Sequence, residues 1–196
     1  MNKKHKEPTY THFDREMNHF FVLTGGPGTG KTSLIEVLKQ HGFQTVPEDA
    51  RRIIQEQVAM KGDGLPWANK MHYANLMFEA ALKSYAVQKS NGSTEPVFFD
   101  RGHLDSICYM KMEQLPLSKQ VLEQARKYPY NKCVFILPPW KEIYITDAER
   151  KQSWEEVLFT HEQMKETYAE FNYTVIELPK TSLKNRLRFV MDFLNL

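Results

Sequence analysis

The chain has 196 residues, 26 basic and 24 acidic, with a formal net charge of +2; 41% are hydrophobic and 26% charged. These figures fit one globular domain of roughly 100–200 residues, which buries about 70% of its unfolded surface, and they exclude wholesale disorder. A charge this close to balance gives no electrostatic reason to expect a nucleic-acid or anionic-membrane partner.

Residues 1–18 are polar and lack periodicity, so they read as an N-terminal arm preceding a single domain over 19–196. The apolar run 19–24 predicts a buried strand, stopped by Gly25-Gly26. Leu34, Ile35, Val37 and Leu38 predict a helix over 32–40 that ends before Gly42. A short strand follows at 43–47, then a helix over 49–60 with Ala50, Ile53, Ile54 and Gln57 on one face. Residues 61–66 form a breaker cluster. A long helix over 68–89 carries a stripe of Met71, Asn75, Phe78, Leu82 and Tyr85. The third strand, 96–99, ends at Asp100, and shorter helices are predicted over 104–113 and 117–127. The fourth strand is 132–137, halted by Pro138-Pro139. The charged stretch 141–151 leads into a helix with Trp154, Val157, Leu158, His161, Tyr168 and Phe171 as its stripe. A fifth strand at 173–178 and an amphipathic helix over 183–194 close the chain. Strands alternating with helices predict an α/β fold with a mainly parallel sheet.

Other features are negative. Cys108 and Cys133 form no CxxC pair, which speaks against a zinc site or disulfide framework and fits a reducing cytoplasm. The apolar runs fall short of the about 20 residues a membrane span needs. The first residues are basic but lack the apolar segment of a secretory signal.

The informative residues are Gly25, Gly26, Pro27, Gly28, Thr29, Gly30, Lys31 and Thr32, which satisfy G-x-x-x-x-G-K-[ST] between a predicted strand and a predicted helix. Glycines let the backbone curl and turn its N–H groups onto a phosphate. The helix N-terminus adds its positive end. Lys31 suits the β- and γ-phosphates, the Thr32 hydroxyl suits Mg2+, and Ser33 is an accessory donor. A nucleoside triphosphate, ATP with Mg2+, is the expected ligand. ATP is favoured over GTP because no N-K-x-D element ends a strand and no D-x-x-G follows the third one.

Two readings fit Asp100: a second anchor for Mg2+, or an N-cap of the next helix. The adjacent Arg101 favours the first, since a guanidinium suits a phosphoryl oxygen or an anionic substrate. Glu48 follows the second strand. The carboxyl ends of parallel strands share one crevice, so Glu48 is expected to face the nucleotide with Asp100, as a base or positioner, or else to be a helix-start acid. Asp49 is the better cap, and Arg51 rather than Arg52 is expected to reach substrate. Arg150, in the 145–151 stretch, is either a lid arginine or part of a solvated helix start. Trp67, Met71, His72, Tyr73 and Phe78 are either an acceptor-stacking wall or core, and Trp67 is the exception to the stripe. His103 and Asp105 read as cap or polar surface rather than as a metal pair, and His41 and His161 as helix-face residues.

The series T-G-G-P-x-T-G-K-T, V-P-E-x-A-R, F-D-R-G, D-x-x-R and R-x-x-F-V, spread over most of the chain, resembles the NadR-type AAA-like P-loop family, which includes ribosylnicotinamide kinase domains. The resemblance implies a three-layer α/β/α kinase-like core with strand order 2-3-1-4-5. It also implies triphosphate on 25–32, Asp100 near magnesium, and Glu48, Arg101 and Arg150 around the transferred phosphate. The plan is also similar to that of deoxynucleoside kinases. Three functions follow as expectations: a kinase for a small hydroxyl-bearing acceptor, a stand-alone ATPase, or a nucleotide-dependent sensor.

Overall fold

The computed structural model describes residues 19–144 and 153–196. The expected arm at 1–18 and the expected lid, with Asp147, Arg150 and Lys151, lie outside the described residues. Strands β1 (Phe20–Thr24), β2 (Gln44–Val46), β3 (Val97–Asp100), β4 (Cys133–Ile136) and β5 (Thr174–Glu177) form one sheet in the order β2-β3-β1-β4-β5. Every pairing is parallel, and the order is the one the family resemblance implies. The helices among the described residues are α1 (Lys31–Gln40), α2 (Ala50–Ala59), α3 (Lys70–Ser90), α4 (His103–Met112), α5 (Lys119–Lys127), α6 (Trp154–Glu170) and α7 (Leu183–Leu194). All predicted elements are present with small shifts at their ends, and one unpredicted 3-10 turn spans Lys141–Ile143.

The strands read as unbroken apolar runs because both faces of the sheet are covered. Alternate side chains point to opposite faces, so β1 serves two cores. Phe20 and Val22 pack with Phe99, Ala74 and Phe78 of α3, Leu104 and Ile107 of α4, and Tyr168 of α6. Phe21 and Leu23 pack with Phe98, Phe135, Leu34 and Leu38 of α1, and Leu187 and Val190 of α7. Each such fully buried side chain contributes about 1.5–3 kcal/mol of transfer free energy. The result is the three-layer α/β/α arrangement.

Two helix faces differ from their predicted stripes. In α3 the buried residues are Tyr73, Ala74, Phe78 and Tyr85, while Met71 and Asn75 are only half-buried. The helix presents two faces: Ala74, Phe78 and Tyr85 meet the sheet, whereas Tyr73, Met77, Ala81 and Ser84 line a cavity. In α6 the buried face is Val157, Thr160, His161, Met164, Thr167 and Tyr168, and Leu158 is exposed. Threonines on the inner face hide that face from a reading of apolar periodicity.

Candidate active site

The 25–30 loop joins β1 to α1, and three of its glycines have positive φ: 143° at Gly25, 75° at Gly28 and 85° at Gly30. Gly30 caps α1 in the left-handed conformation, which side chains disfavour, and a Cβ there would lie 3.1 Å from Arg186 Nη1. Gly26 differs, with neither a positive φ nor any atom within 4 Å of an added Cβ. Inside the loop the Thr29 hydroxyl donates to the Gly26 carbonyl at 3.0 Å. Thr32 and Ser33 lie exposed in the first turn of α1, directly after the buried Lys31.

Strand register sets the next residues. Leu23 pairs with Asp100, and the Arg101 N–H donates to the Leu23 carbonyl at 3.0 Å, so the end of β3 lies beside the start of the glycine loop. Lys31 Nζ donates to Asp100 Oδ1 at 2.5 Å and lies 3.9 Å from Glu48 Oε2. Arg101 Nε donates to Glu48 Oε1 at 2.7 Å. The structure therefore brings Lys31, the first residue of α1, together with Glu48, Asp100 and Arg101 near the ends of β2 and β3. Arg101 holds φ at 71°, an uncommon conformation for a non-glycine residue that turns the chain sharply out of β3. Burial alone would lower the Arg101 pKa, but the carboxylates of Glu48, Asp105 and Asp100 outweigh it and push it up.

Asp105 was read as cap or polar surface, and only the cap is correct. Its Oδ2 accepts from the Gly102 N–H at 2.9 Å, satisfying a backbone donor at the start of α4, where glycine has no side chain to reciprocate. Yet it is buried and also accepts from Thr24 Oγ1 at 2.5 Å, Tyr168 OH at 2.7 Å and Arg101 Nη1 at 3.1 Å. One carboxylate thus ties β1, α4 and α6 together and fixes the Arg101 guanidinium from behind. Gly102 allows this closure, because a Cβ there would stand 2.8 Å from Tyr130 Cε2 and 3.1 Å from Val22 Cγ2. The place of Asp105 in the first turn of a helix was available in the sequence, whereas Thr24 and Tyr168 are remote in the chain.

Arg186 is the second residue missed. It is 2% exposed, donates from Nη1 to the Thr29 carbonyl at 2.7 Å and from Nε to the Pro179 carbonyl at 3.0 Å, and lies over the Trp140 ring at 5.0 Å. Among the described residues it has no carboxylate within ion-pair distance, and burial pushes its pKa down. The R-x-x-F-V pattern carried this residue, but not its contact with the glycine loop.

Between the ends of β2 and β3 and helices α3, α4 and α6 lies a cavity of about 560 Å³, opening on Pro27, Glu48, Asp100 and Arg101. Of the five proposed wall residues only Tyr73 lines it. Trp67 is 68% exposed, Phe78 is core, and His72 Nδ1 lies 2.6 Å from Asp63 Oδ1 on the surface. Asp49 stands at the N-cap of α2, but its side chain does not cap: it accepts from Arg52 and from Ser84 Oγ. Arg51 and Arg52 are both exposed and neither lines the cavity, so the structure does not place Arg51 toward an acceptor; Arg52 is bound to Asp49 and Glu56. His103 is buried with Nε2 3.1 Å from the Ala125 carbonyl, His41 lies on the surface at the end of α1, and His161 meets Glu177. Cys108 lines the cavity as a free thiol whose pKa burial pushes up to about 12, which disfavours the thiolate.

Among the described residues no helix is long and apolar enough to cross a membrane. The fold is that of several solved structures. NadR in complex with NR matches with a TM-score of 0.67 and 21% identity over 93% of this chain, which spans 53% of the NadR chain. Deoxyadenosine kinase from M. mycoides matches with a TM-score of 0.57 and 18% identity, covering 90% of this chain and 98% of that one. Thymidylate kinase from Ehrlichia chaffeensis matches with a TM-score of 0.62 and 13% identity, covering 89% and 97%. No curated protein sequence matches this chain. A family model described as an AAA domain matches residues 20–186, in line with the motif series, and the chain belongs to that family.

Proposed function

We propose that residues 19–196 form a P-loop phosphotransferase that moves the γ-phosphoryl group of ATP onto a hydroxyl of a small acceptor such as a nucleoside. The observation that carries this reading is the convergence of Lys31, Glu48, Asp100 and Arg101 where the glycine loop meets the 560 Å³ cavity. A hydrolase needs the loop and a water, whereas a cavity in the 300–1,000 Å³ range gives an organic acceptor somewhere to sit.

The residues divide the work. The 25–30 loop and the α1 N-terminus would hold the phosphates, with Lys31 placing its charge on the β- and γ-phosphates. Thr32 and Asp100 present hard oxygen donors on adjoining elements, the donor type that Mg2+ takes, and a bound ion would neutralise charge on the phosphates. Glu48 lies within reach of both Lys31 and the cavity and would accept the acceptor's hydroxyl proton. That oxygen then bonds to the γ-phosphorus while the bond to the β–γ bridging oxygen breaks and ADP leaves with the electron pair. Arg101, held by Glu48 and Asp105, would meet charge developing on the transferred group. Arg150 is proposed as a lid residue on the strength of the motif resemblance alone.

The test is a coupled assay of ADP release with a panel of nucleosides and other small alcohols. Acceptor-stimulated release is expected, and Glu48→Gln should lower kcat by about a hundredfold or more while leaving ATP binding intact. ADP release that no acceptor changes would turn the assignment to a stand-alone ATPase.

A further inference from the structure

Charge is unevenly matched beside the glycine loop. Lys31 is bound by Asp100, and Arg101 by Glu48 and Asp105. Three carboxylates face two cations there, so the cluster carries one negative charge in excess and attracts a polyphosphate poorly on its own account. Arg186 on α7 is different. It is 2% exposed, and among the described residues it has no carboxylate beside it and its Nη2 has no hydrogen-bond partner. What holds it in place does not neutralise it: the carbonyls of Thr29 and Pro179, and the Trp140 ring 5.0 Å from its Cζ. A guanidinium in that setting is costly to bury unless something else compensates its charge.

Its position indicates what that is. Nη1 donates to the Thr29 carbonyl at 2.7 Å, and this carbonyl shares a peptide unit with the Gly30 N–H. A charged donor at one end of a peptide polarises it and strengthens the N–H at the other end as a donor. No side chain intervenes, because residue 30 is glycine; a Cβ there would lie 3.1 Å from Nη1. Arg186 is absent from the lining of the acceptor cavity, so its charge bears on the loop and not on the acceptor.

We propose that Arg186 is a positioning residue for the phosphates: a buried cation that touches no ligand, acts through the Thr29–Gly30 peptide, and makes the loop selective for an occupant with several phosphate charges. This rests on the reading of the loop as the triphosphate site and not on the identity of the acceptor. A polyphosphate supplies the counter-charge that the fold withholds, and burial of the guanidinium is what keeps its charge uncompensated until then.

The experiment uses the full chain and displacement of a fluorescent ATP analogue by ATP, ADP and inorganic tripolyphosphate, each with Mg2+. Arg186→Gln keeps a donor for the Thr29 carbonyl and removes the charge, whereas Arg186→Lys keeps the charge and loses the planar fork. Arg186→Gln should raise the Kd of ATP and of tripolyphosphate about tenfold and that of ADP less, with Arg186→Lys within about threefold of the parent for all three. Arg186→Met, which loses both donor and charge, repeats the comparison where the glutamine variant does not fold. Glutamine and lysine variants that bind ATP equally well would overturn the role of charge. A loss seen with ATP but not with tripolyphosphate would overturn it too, since Arg186 would then act on the nucleoside. A parent protein that binds neither would remove the phosphate-site reading and this inference together. The expected order of affinities without phosphate transfer to any acceptor would sink the transfer reaction and leave the role of Arg186 standing.

Discussion

The two halves of the crevice are built by different means. The phosphate half is a backbone device, a tight loop with three left-handed glycines and the start of α1, anchored from outside by Arg186. The acceptor half is a side-chain device, assembled from the ends of β2 and β3 and the inner faces of α3, α4 and α6. The first half presents N–H groups and cations, and the second presents carboxylates, thioethers and rings. Backbone geometry serves one ligand shape, a chain of phosphates, whereas side chains can be exchanged without touching the sheet. Under the proposed function, the difference would put substrate choice in the second half and the chemistry at the seam, where Lys31, Asp100, Glu48 and Arg101 meet.

Mutations can break this division. Lys31→Ala should have the largest effect, lowering ATP turnover about a thousandfold and also lowering thermal stability because Asp100 loses its buried partner; a folded variant that keeps turnover within tenfold would detach the loop from the chemistry. Asp105→Ala should strike both halves. It leaves Tyr168 OH and the Gly102 N–H unpaired, leaves Thr24 Oγ1 only the Met164 sulfur at 3.7 Å and removes one of the two carboxylates that hold Arg101, so urea unfolding should show a loss of at least about 3 kcal/mol.

The acceptor half also carries a pH dependence. Burial lowers the His103 pKa from 6.5 to about 4, with the Ala125 carbonyl and the Asp105 charge opposing it in part. Between those values the unfolded chain binds a proton that the folded one refuses, so stability falls as pH drops from 6.5 to 4. The loss is about 3 kcal/mol, and His103→Phe should flatten that part of a stability–pH curve measured by denaturant titration. Arg186→Met sharpens the comparison from the other side, weakening ATP binding about tenfold by loosening the Thr29 corner while the acceptor KM stays the same. Trp67→Ala should do least: with its ring 68% exposed and outside the cavity, stability should move by no more than about 0.5 kcal/mol and acceptor KM not at all.

The same division explains what the sequence made legible. The loop is eight consecutive residues with a strand before and a helix after, so spacing alone located it. Glu48, Asp100 and Arg101 were found because strand ends of a parallel sheet share one edge. Asp105 and Arg186 were not, because each acts through partners far away in the chain. A buried aspartate looks like a surface cap until Thr24 and Tyr168 fold onto it, and Thr160 counts as polar until α6 turns it inward. The aromatic-rich 61–89 segment misled for the opposite reason: ring content was visible, but the surface exposure of Trp67 and the packing of Phe78 into the core depend on how the helix docks.

The ion pair between Lys31 and Asp100 has a thermodynamic consequence. A triphosphate that draws Lys31 onto itself strips a nearly buried carboxylate, with a side chain only 10% exposed, of its partner. Under the proposed function, bare triphosphate would trade one pairing for another and gain little, whereas triphosphate arriving with a divalent cation would satisfy both side chains at once. Nucleotide and cation should thus each raise the affinity of the other, by the same factor in either order of addition. A contact that looks like simple charge neutralisation would then make the site respond to the pair rather than to either component alone.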